Sequence, residues 1–497
     1  VTARPPAVGT GPVGSGRRPP NPRASGEPAL DPPTVRLSRV DPATSASAPD
    51  APTEVIPVVD PAGRPANGGL GDGLALSLSS AVGSLAGFLS WLIAARIMPQ
   101  SEFGQASAVV SAFILIAGAA QLNLGIGLLR WLPASGRRAG RLVWSSLLLI
   151  MPLSGLVGLI YVLFVPELAE TAAGPGGSFG VGVLLFVLAA AGWGVFVVHD
   201  FILVAIGKPW WTVWRNGLFA VVRIGLLVAL GYYAGLGAQG VVLSWVGPIV
   251  VWILVGSLVV AVYVRRFSRR ATGGTLPERG EAVRFLGPTA VAQVGTALLY
   301  NQVTLLVTLR FGPETGAAFF VAWQAVTVVD IAAMFFMNSL AVHVAREPHR
   351  AGELAAAART RLLKLFLPVL ALGALLARPV LSIFGSGYAE ASVILQLLML
   401  GLAFRLVVAH ALGVRQAAGK AMQFARLQLI STLLVLLVVV VIPVRPGAPD
   451  EALLPVAIGY VVVQVVCALT VLFSPARRRA ESPVSPATPA NASKEGS

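Results

Sequence analysis

Three ionisable residues stand in the middle of long apolar runs: Arg223, Asp330 and Arg405. A charge near the bilayer centre costs on the order of 2.5–3.5 kcal/mol on insertion scales, so such residues normally face a wet cavity or an opposite charge. A guanidinium keeps its proton there and offers a planar fork to phosphate oxygens. Arg223 and Arg405 are therefore candidates for holding a phosphate-bearing ligand. The competing reading is a buried ion pair, Asp330 with one arginine, that only joins helices. Two arginines against one acid leave one cation over, which favours the cavity. Asp330 could instead titrate or bind a cation, coupling the site to a proton or sodium gradient.

Further polar groups lie nearer the ends of the apolar runs. His199 and Asp200 are toward the end of the fourth run, and His410 is at nearly the equivalent place in the tenth. These three could form a cytoplasmic gate, or each histidine could hydrogen-bond a neighbouring helix. Arg96, Arg310 and Arg378 lie at or near outer helix ends, where they can contact a ligand headgroup or snorkel to water. Trp210, Trp211 and Trp214 read as an interfacial belt beside Lys208. Cys467 is the only cysteine, which excludes disulfides within the chain and thiolate metal clusters. No metal, organic cofactor or catalytic group is expected.

The elements that carry these residues follow from composition. The 497 residues are 56% hydrophobic and 12% charged, against about a quarter charged in soluble domains. The apolar residues come in runs of about twenty, the length that crosses a hydrocarbon core as a helix. The chain is expected to be an all-α polytopic membrane protein with twelve spans, near 73–97, 105–129, 142–165, 180–206, 214–234, 240–264, 284–309, 316–343, 362–383, 391–414, 424–443 and 452–473. Residues 1–72 hold 15 of the 36 prolines with seven Arg against seven acids. They read as a disordered cytoplasmic tail that could dock a partner, with no signal-peptide pattern. Residues 265–283 read as a basic cytoplasmic linker between six-helix bundles at 73–264 and 284–474, and 475–497 as a second disordered tail.

Net charge is +15, and its placement matters more than its sum. Alternate loops collect the basic residues: Arg130, Arg137, Arg138 and Arg141; Lys208 and Arg215; then Arg265, Arg266, Arg269, Arg270, Arg279 and Arg284. Lys/Arg bias in short loops sets orientation, so both termini are expected inside. The longest outside connection, Pro166 to Phe179, contains no His, Lys or Arg. An extracellular polymerase or ligase would have nowhere to place catalytic groups, and nucleic acid is not an expected partner.

The two halves repeat. The first hairpin reads Ala95-Arg96-Ile97-Met98-Pro99-Gln100-Ser101-Glu102-Phe103-Gly104, and the seventh span ends Leu309-Arg310-Phe311-Gly312-Pro313-Glu314-Thr315-Gly316. The fourth span ends at Gly207-Lys208 and the tenth is followed by Gly419-Lys420. Both glycine pairs share one offset, 316 − 104 = 419 − 207 = 212. Six spans per half make the repeats parallel, and transporters built so place substrate between halves that rock around it. At this offset Arg223 corresponds to Val435, Asp330 to Gly118 and Arg405 to Trp193, so the scaffold repeats while the charges do not.

The stretch from Ala95 through Phe103-Gly104 to Leu122-Asn123-Leu124-Gly125, ending Leu128-Leu129-Arg130-Trp131-Leu132-Pro133, resembles the opening of Wzx-type polysaccharide flippases. Ile383-Phe384-Gly385-Ser386-Gly387-Tyr388-Ala389-Glu390-Ala391 resembles their turn between spans nine and ten. The resemblance covers most of residues 73–474, and twelve spans fit this family better than the fourteen usual in lipid II flippases. It implies the multidrug/oligosaccharidyl-lipid/polysaccharide (MOP) exporter fold, with two six-helix bundles around a central cavity. It also implies transport of a polyprenyl-pyrophosphate-linked oligosaccharide across a bacterial cytoplasmic membrane for surface polysaccharide or wall assembly. A cationic cavity for the lipid headgroup is part of that implication. The tail has no counterpart in the family pattern. The alternative on the same fold is a multidrug or cation antiporter, whose cavity should be acidic and aromatic. A membrane glycosyltransferase is disfavoured by the short outer loops, and a transport-inactive scaffold acting through the tail stays open.

Overall fold

The computed structural model describes residues 86–444, 447 and 449–473, so both tails and the start of the first span lie outside the described residues. The chain is helical, with no strand among the described residues. In chain order the helices are α1 (Ala86–Ile97), α2 (Gln100–Ala120), α3 (Leu124–Trp131), α4 (Ala139–Phe164), α5 (Pro166–Ala173), α6 (Phe179–Ala205), α7 (Pro209–Leu226), α8 (Gly237–Arg270) and α9 (Arg279–Ala297). They continue as α10 (Val303–Phe311), α11 (Pro313–Arg346), α12 (Ala351–Leu375), α13 (Ala377–Ser382), α14 (Ser386–Ala389), α15 (Ser392–Ala417), α16 (Ala421–Val441) and α17 (Pro449–Phe473).

Among the described residues, ten helical segments are long and apolar enough to cross a membrane. They match ten of the twelve expected spans. The other two are α1, apolar but described over only its last residues, and α12, which carries Arg359, Arg361 and Lys364. Leucines such as Leu148 and Leu254 point outward from the bundle, as expected when the surrounding solvent is lipid. The expected linker at 265–283 is shorter as coil. Helix α8 runs on through Arg270 and α9 resumes at Arg279, leaving 271–278 non-helical. Arginine is a good helix former, and cations at a helix C-terminus complement its dipole.

The repeat is visible in backbone detail. At the end of α6, Gly207 (φ 74°) lies in the left-handed region, Gly207 N–H donates to Val204 O and Lys208 N–H to Leu203 O. At the end of α15, Gly419 (φ 69°) does the same, with Gly419 N–H to Gln416 O and Lys420 N–H to Arg415 O. Every participant is displaced by 212. This is the glycine-terminated helix end that satisfies the last carbonyls.

The first half, α1–α8, meets the second, α9–α17, chiefly through α2 against α9, α10 and α11. At the Arg-poor end the approach of α2 to α11 is very close: a Cβ on Gly104 would lie 1.9 Å from Pro313 O. Phe103 packs edge-on against Phe320 and Tyr388 beside this contact. At the Arg-rich end, segment 271–278 is stitched to the connection between α3 and α4. Arg137 N–H donates to Gly273 O (2.8 Å) and Thr275 N–H to Ala134 O (3.2 Å). Helices α9 and α10 are joined through a π-helical segment, Leu298–Gln302, and α9 contains Pro288.

Candidate functional site

Asp330 on α11 and Arg405 on α15 form one buried pair, Nε to Oδ2 at 2.8 Å, with side chains 3% and 2% exposed. Tyr300 Oη donates to the same oxygen at 3.0 Å. All three belong to the second half. Arg405 meets a carboxylate through Nε, while its Nη1 and Asp330 Oδ1 make no hydrogen bond among the described residues. The alternative reading, a pair that joins helices, describes this geometry.

Arg223 on α7 is different. It is 5% exposed and Nη2 donates to Ser90 Oγ (2.7 Å) and Ala86 O (3.2 Å) of α1. Its guanidinium carbon lies 4.3 Å from the Trp245 ring centroid on α8. Among the described residues no carboxylate lies within 4.0 Å of it. The leftover cation expected from two arginines and one acid is thus Arg223, tied to a hydroxyl, a carbonyl and a π face.

The other expected site residues are dispersed. Arg310 Nη1 donates to Val439 O and to Ile442 O (3.1 Å), satisfying carbonyls at the C-terminal end of α16. Arg96 Nε donates to Ile383 O at 2.7 Å and so links the first half to the second. Arg96, Arg223, Arg310 and Arg405 thus have partners on different elements. His199 is fully buried with Nε2 3.4 Å from Ser257 Oγ, and His410 Nε2 lies 2.9 Å from Ala355 O. Each histidine thus meets a neighbour in its own half.

Arg215, counted in the sequence among the basic residues of an inside loop, lies instead within α7. It is buried, 2.8 Å from Asp200 Oδ1, and its Nη1 donates to Phe196 O at 2.9 Å. Asn216 Nδ2 donates to the other Asp200 oxygen at 3.1 Å. The signal was available: Asp200 and Arg215 stand seven and eight residues either side of Gly207, and a tight turn between antiparallel helices brings such positions together. A small gap beside the pair is lined by His199, Trp211, Arg215, Trp252 and Gly256. Among the described residues no group of three or more His, Cys, Asp or Glu could hold a metal ion.

Outside the spans, Arg350 is clipped by Glu347 (2.6 Å) and Glu353 (2.9 Å). The hydrogen bond and charge of Arg350 hold the Glu353 carboxyl below its ordinary range.

Neither a family model nor a curated protein matches this chain. Solved structures do. A MOP superfamily transporter from Pyrococcus furiosus, described as having a binding pocket of reversed polarity, is 19% identical with a TM-score of 0.51, over 82% of this chain and 94% of that one. An outward-facing multidrug resistance MATE family transporter of the MOP superfamily is 18% identical with a TM-score of 0.52, over 82% and 94%. An inward-facing form of such a transporter is 16% identical with a TM-score of 0.51, over 82% and 98%. At these identities the likeness concerns the fold, and the fold is that of MOP superfamily transporters.

Proposed function

We propose that this chain, with its MOP-type fold, is a transporter that moves a polyprenyl-pyrophosphate-linked oligosaccharide from the inner to the outer leaflet of a bacterial cytoplasmic membrane. The product would serve surface polysaccharide or wall assembly. The observation that carries this reading is Arg223, a cation held in the middle of a span without a carboxylate partner. The other two deeply buried arginines, Arg215 and Arg405, are neutralised by Asp200 and Asp330. Among the deeply buried described arginines one guanidinium is thus left uncompensated, which attracts an anionic headgroup and repels a cationic drug. The Lys/Arg bias of the loops supports placing the Arg-rich end, and both termini, in the cytoplasm. Alternating access between the halves is supported by the outward- and inward-facing forms of similar folds. The N-terminal tail would dock synthesis proteins.

The second reading is a multidrug or cation antiporter, favoured by the multidrug transporters among the similar structures. One assay separates the two. The full chain is placed in proteoliposomes with a fluorescent polyprenyl-pyrophosphate oligosaccharide and a membrane-impermeant quencher outside. Transfer that falls at least about tenfold in Arg223→Ala, the loss expected for a charge-assisted hydrogen bond of about 1.5–3 kcal/mol, supports the flippase. Uptake of lipophilic cations with no lipid transfer would replace it by the antiporter.

A further inference from the structure

Two cations converge on one aromatic ring at the Arg-rich end of the first half. The Lys208 ammonium and the Arg266 guanidinium each lie 5.9 Å from the ring centroid of Tyr263. Tyr263 Oη accepts a hydrogen bond from Trp211 Nε1 at 2.8 Å, so the phenol proton is not spent on that bond. Among the described residues no carboxylate lies within 4.0 Å of Lys208 or Arg266. Both cations are exposed. The cluster thus offers an ammonium, a guanidinium and a phenol O–H with uncompensated positive charge, a donor set suited to phosphate oxygens.

Position says where that phosphate comes from. Helix α8 has 34 residues, about 51 Å at 1.5 Å per residue, against about 30 Å of hydrocarbon. Its basic end therefore projects into the headgroup layer. Tyr263 and Trp211 mark that level, since amphipathic rings settle at the interface. Trp210 and Trp214, on either side of Trp211 in sequence, are exposed one turn apart on α7, Trp214 at 75%. Helices α7 and α8 pack on α2, α4, α5 and α6, all in the first half. Arg223, on the same α7, is 15 residues beyond Lys208, about 22 Å along the helix, so the two sites are separate.

We propose that Lys208, Arg266 and Tyr263 bind the phosphate of a resident anionic phospholipid of the inner leaflet, with its acyl chains along Trp210 and Trp214. The lipid fastens the foot of α7 to α8 and anchors the first half while the second moves.

The test is native mass spectrometry of the full chain in detergent with phosphatidylglycerol, cardiolipin or phosphatidylcholine added. Wild type should retain one anionic lipid in preference to phosphatidylcholine. Lys208→Gln/Arg266→Gln should weaken retention about 30-fold, two cations at about 1 kcal/mol each near an anionic surface. The charge-keeping pair Lys208→Arg/Arg266→Lys should hold the lipid, as should Arg269→Gln/Arg270→Gln on the same helix end. Monodispersity and helical circular dichroism show that each variant is folded. Equal loss in both glutamine pairs would overturn the site in favour of diffuse charge. Displacement of the lipid by millimolar inorganic pyrophosphate would overturn it in favour of a soluble anion. Neither result bears on what the transporter carries.

Discussion

Arg223 and Arg405 are both arginines buried among apolar helices, yet they make opposite demands on the protein. Arg405 and Asp330 hold each other, and removing one strands the other in a low-dielectric interior. Arg405→Ala or Asp330→Asn should each cost about 3–5 kcal/mol, whereas Asp330→Leu with Arg405→Met should recover much of the loss. Thermal unfolding in detergent checks this, and a double variant no better than the singles would remove the pair from the explanation. Asp330 Oδ2 is taken by the guanidinium at 2.8 Å, and Oδ1 makes no hydrogen bond among the described residues. Arg223→Ala should behave otherwise. Ser90 Oγ also donates to Ala86 O at 2.7 Å, so losing the arginine leaves the hydroxyl paired and the fold intact. Transport should fall while the melting temperature moves little, and Arg223→Lys should restore charge but not the fork. Coincident loss of melting temperature and transport would make Arg223 structural. Asp330 and Arg405 were legible in sequence as misplaced charges, but their pairing was not. Residues 75 positions apart gain a distance only when α11 packs on α15.

At the scale of elements, chain reversals and close helix approaches depend on missing side chains. Gly104 faces Pro313 O with no room for a Cβ, so Gly104→Val should push α2 from α11 and lower stability by several kcal/mol through overpacking and lost contacts. Gly217 on α7 has nothing within 4 Å of its Cβ position. Gly217→Ala should stabilise by about 0.5–1 kcal/mol, since alanine loses less backbone entropy in a helix. Comparing the two melting temperatures tests the close approach directly. The Arg350 clip before α12 adds a pH dependence. The Glu353 carboxyl titrates below its ordinary range, so its small contribution is present above the unfolded carboxylate range and lost as pH falls through the folded value. Both groups are exposed, so salt should weaken it too. The amide-exchange protection factor at 347–353, taken against the intrinsic rate at each pH, should fall on acidification and in high salt, and protection indifferent to both would leave the clip without thermodynamic weight.

For the whole molecule, the proposed transport cycle has the halves part at one end and then the other. At the Arg-poor end the fastening is Arg96 Nε to Ile383 O and Gln100 Nε2 to Glu314 O, both crossing between halves. Cysteines at 96 and 383, joined by a reducible bis-methanethiosulfonate linker, should stop transport and release it on reduction. The one native cysteine, Cys467, is buried and leaves the background quiet. Transport undiminished by the linker would mean that these halves do not separate there. At the Arg-rich end, segment 271–278 is hydrogen-bonded to the first half. In that cycle, motion between the halves would be absorbed beyond it, in α9 with Pro288 or in the π-helical segment that follows.

The sequence by itself determined the solvent, ten of the twelve expected spans and the paired glycine turns. Length and hydropathy of each run are local properties, and the glycine turns at 207 and 419 are fixed by short-range sterics, which is why one offset carries from letters to hydrogen bonds. Loop charge is likewise countable along the chain. Tertiary structure decided which charges are spent. Arg405 is neutralised, Arg310 caps α16, Arg96 bridges the halves, Arg215 pairs with Asp200, and Arg223 keeps no carboxylate. Those outcomes depend on distances between helices remote in sequence, and Coulomb energy in a low dielectric changes by several kcal/mol over a few ångströms. Composition sets how many charges enter the membrane, and only packing sets which of them remains for a ligand.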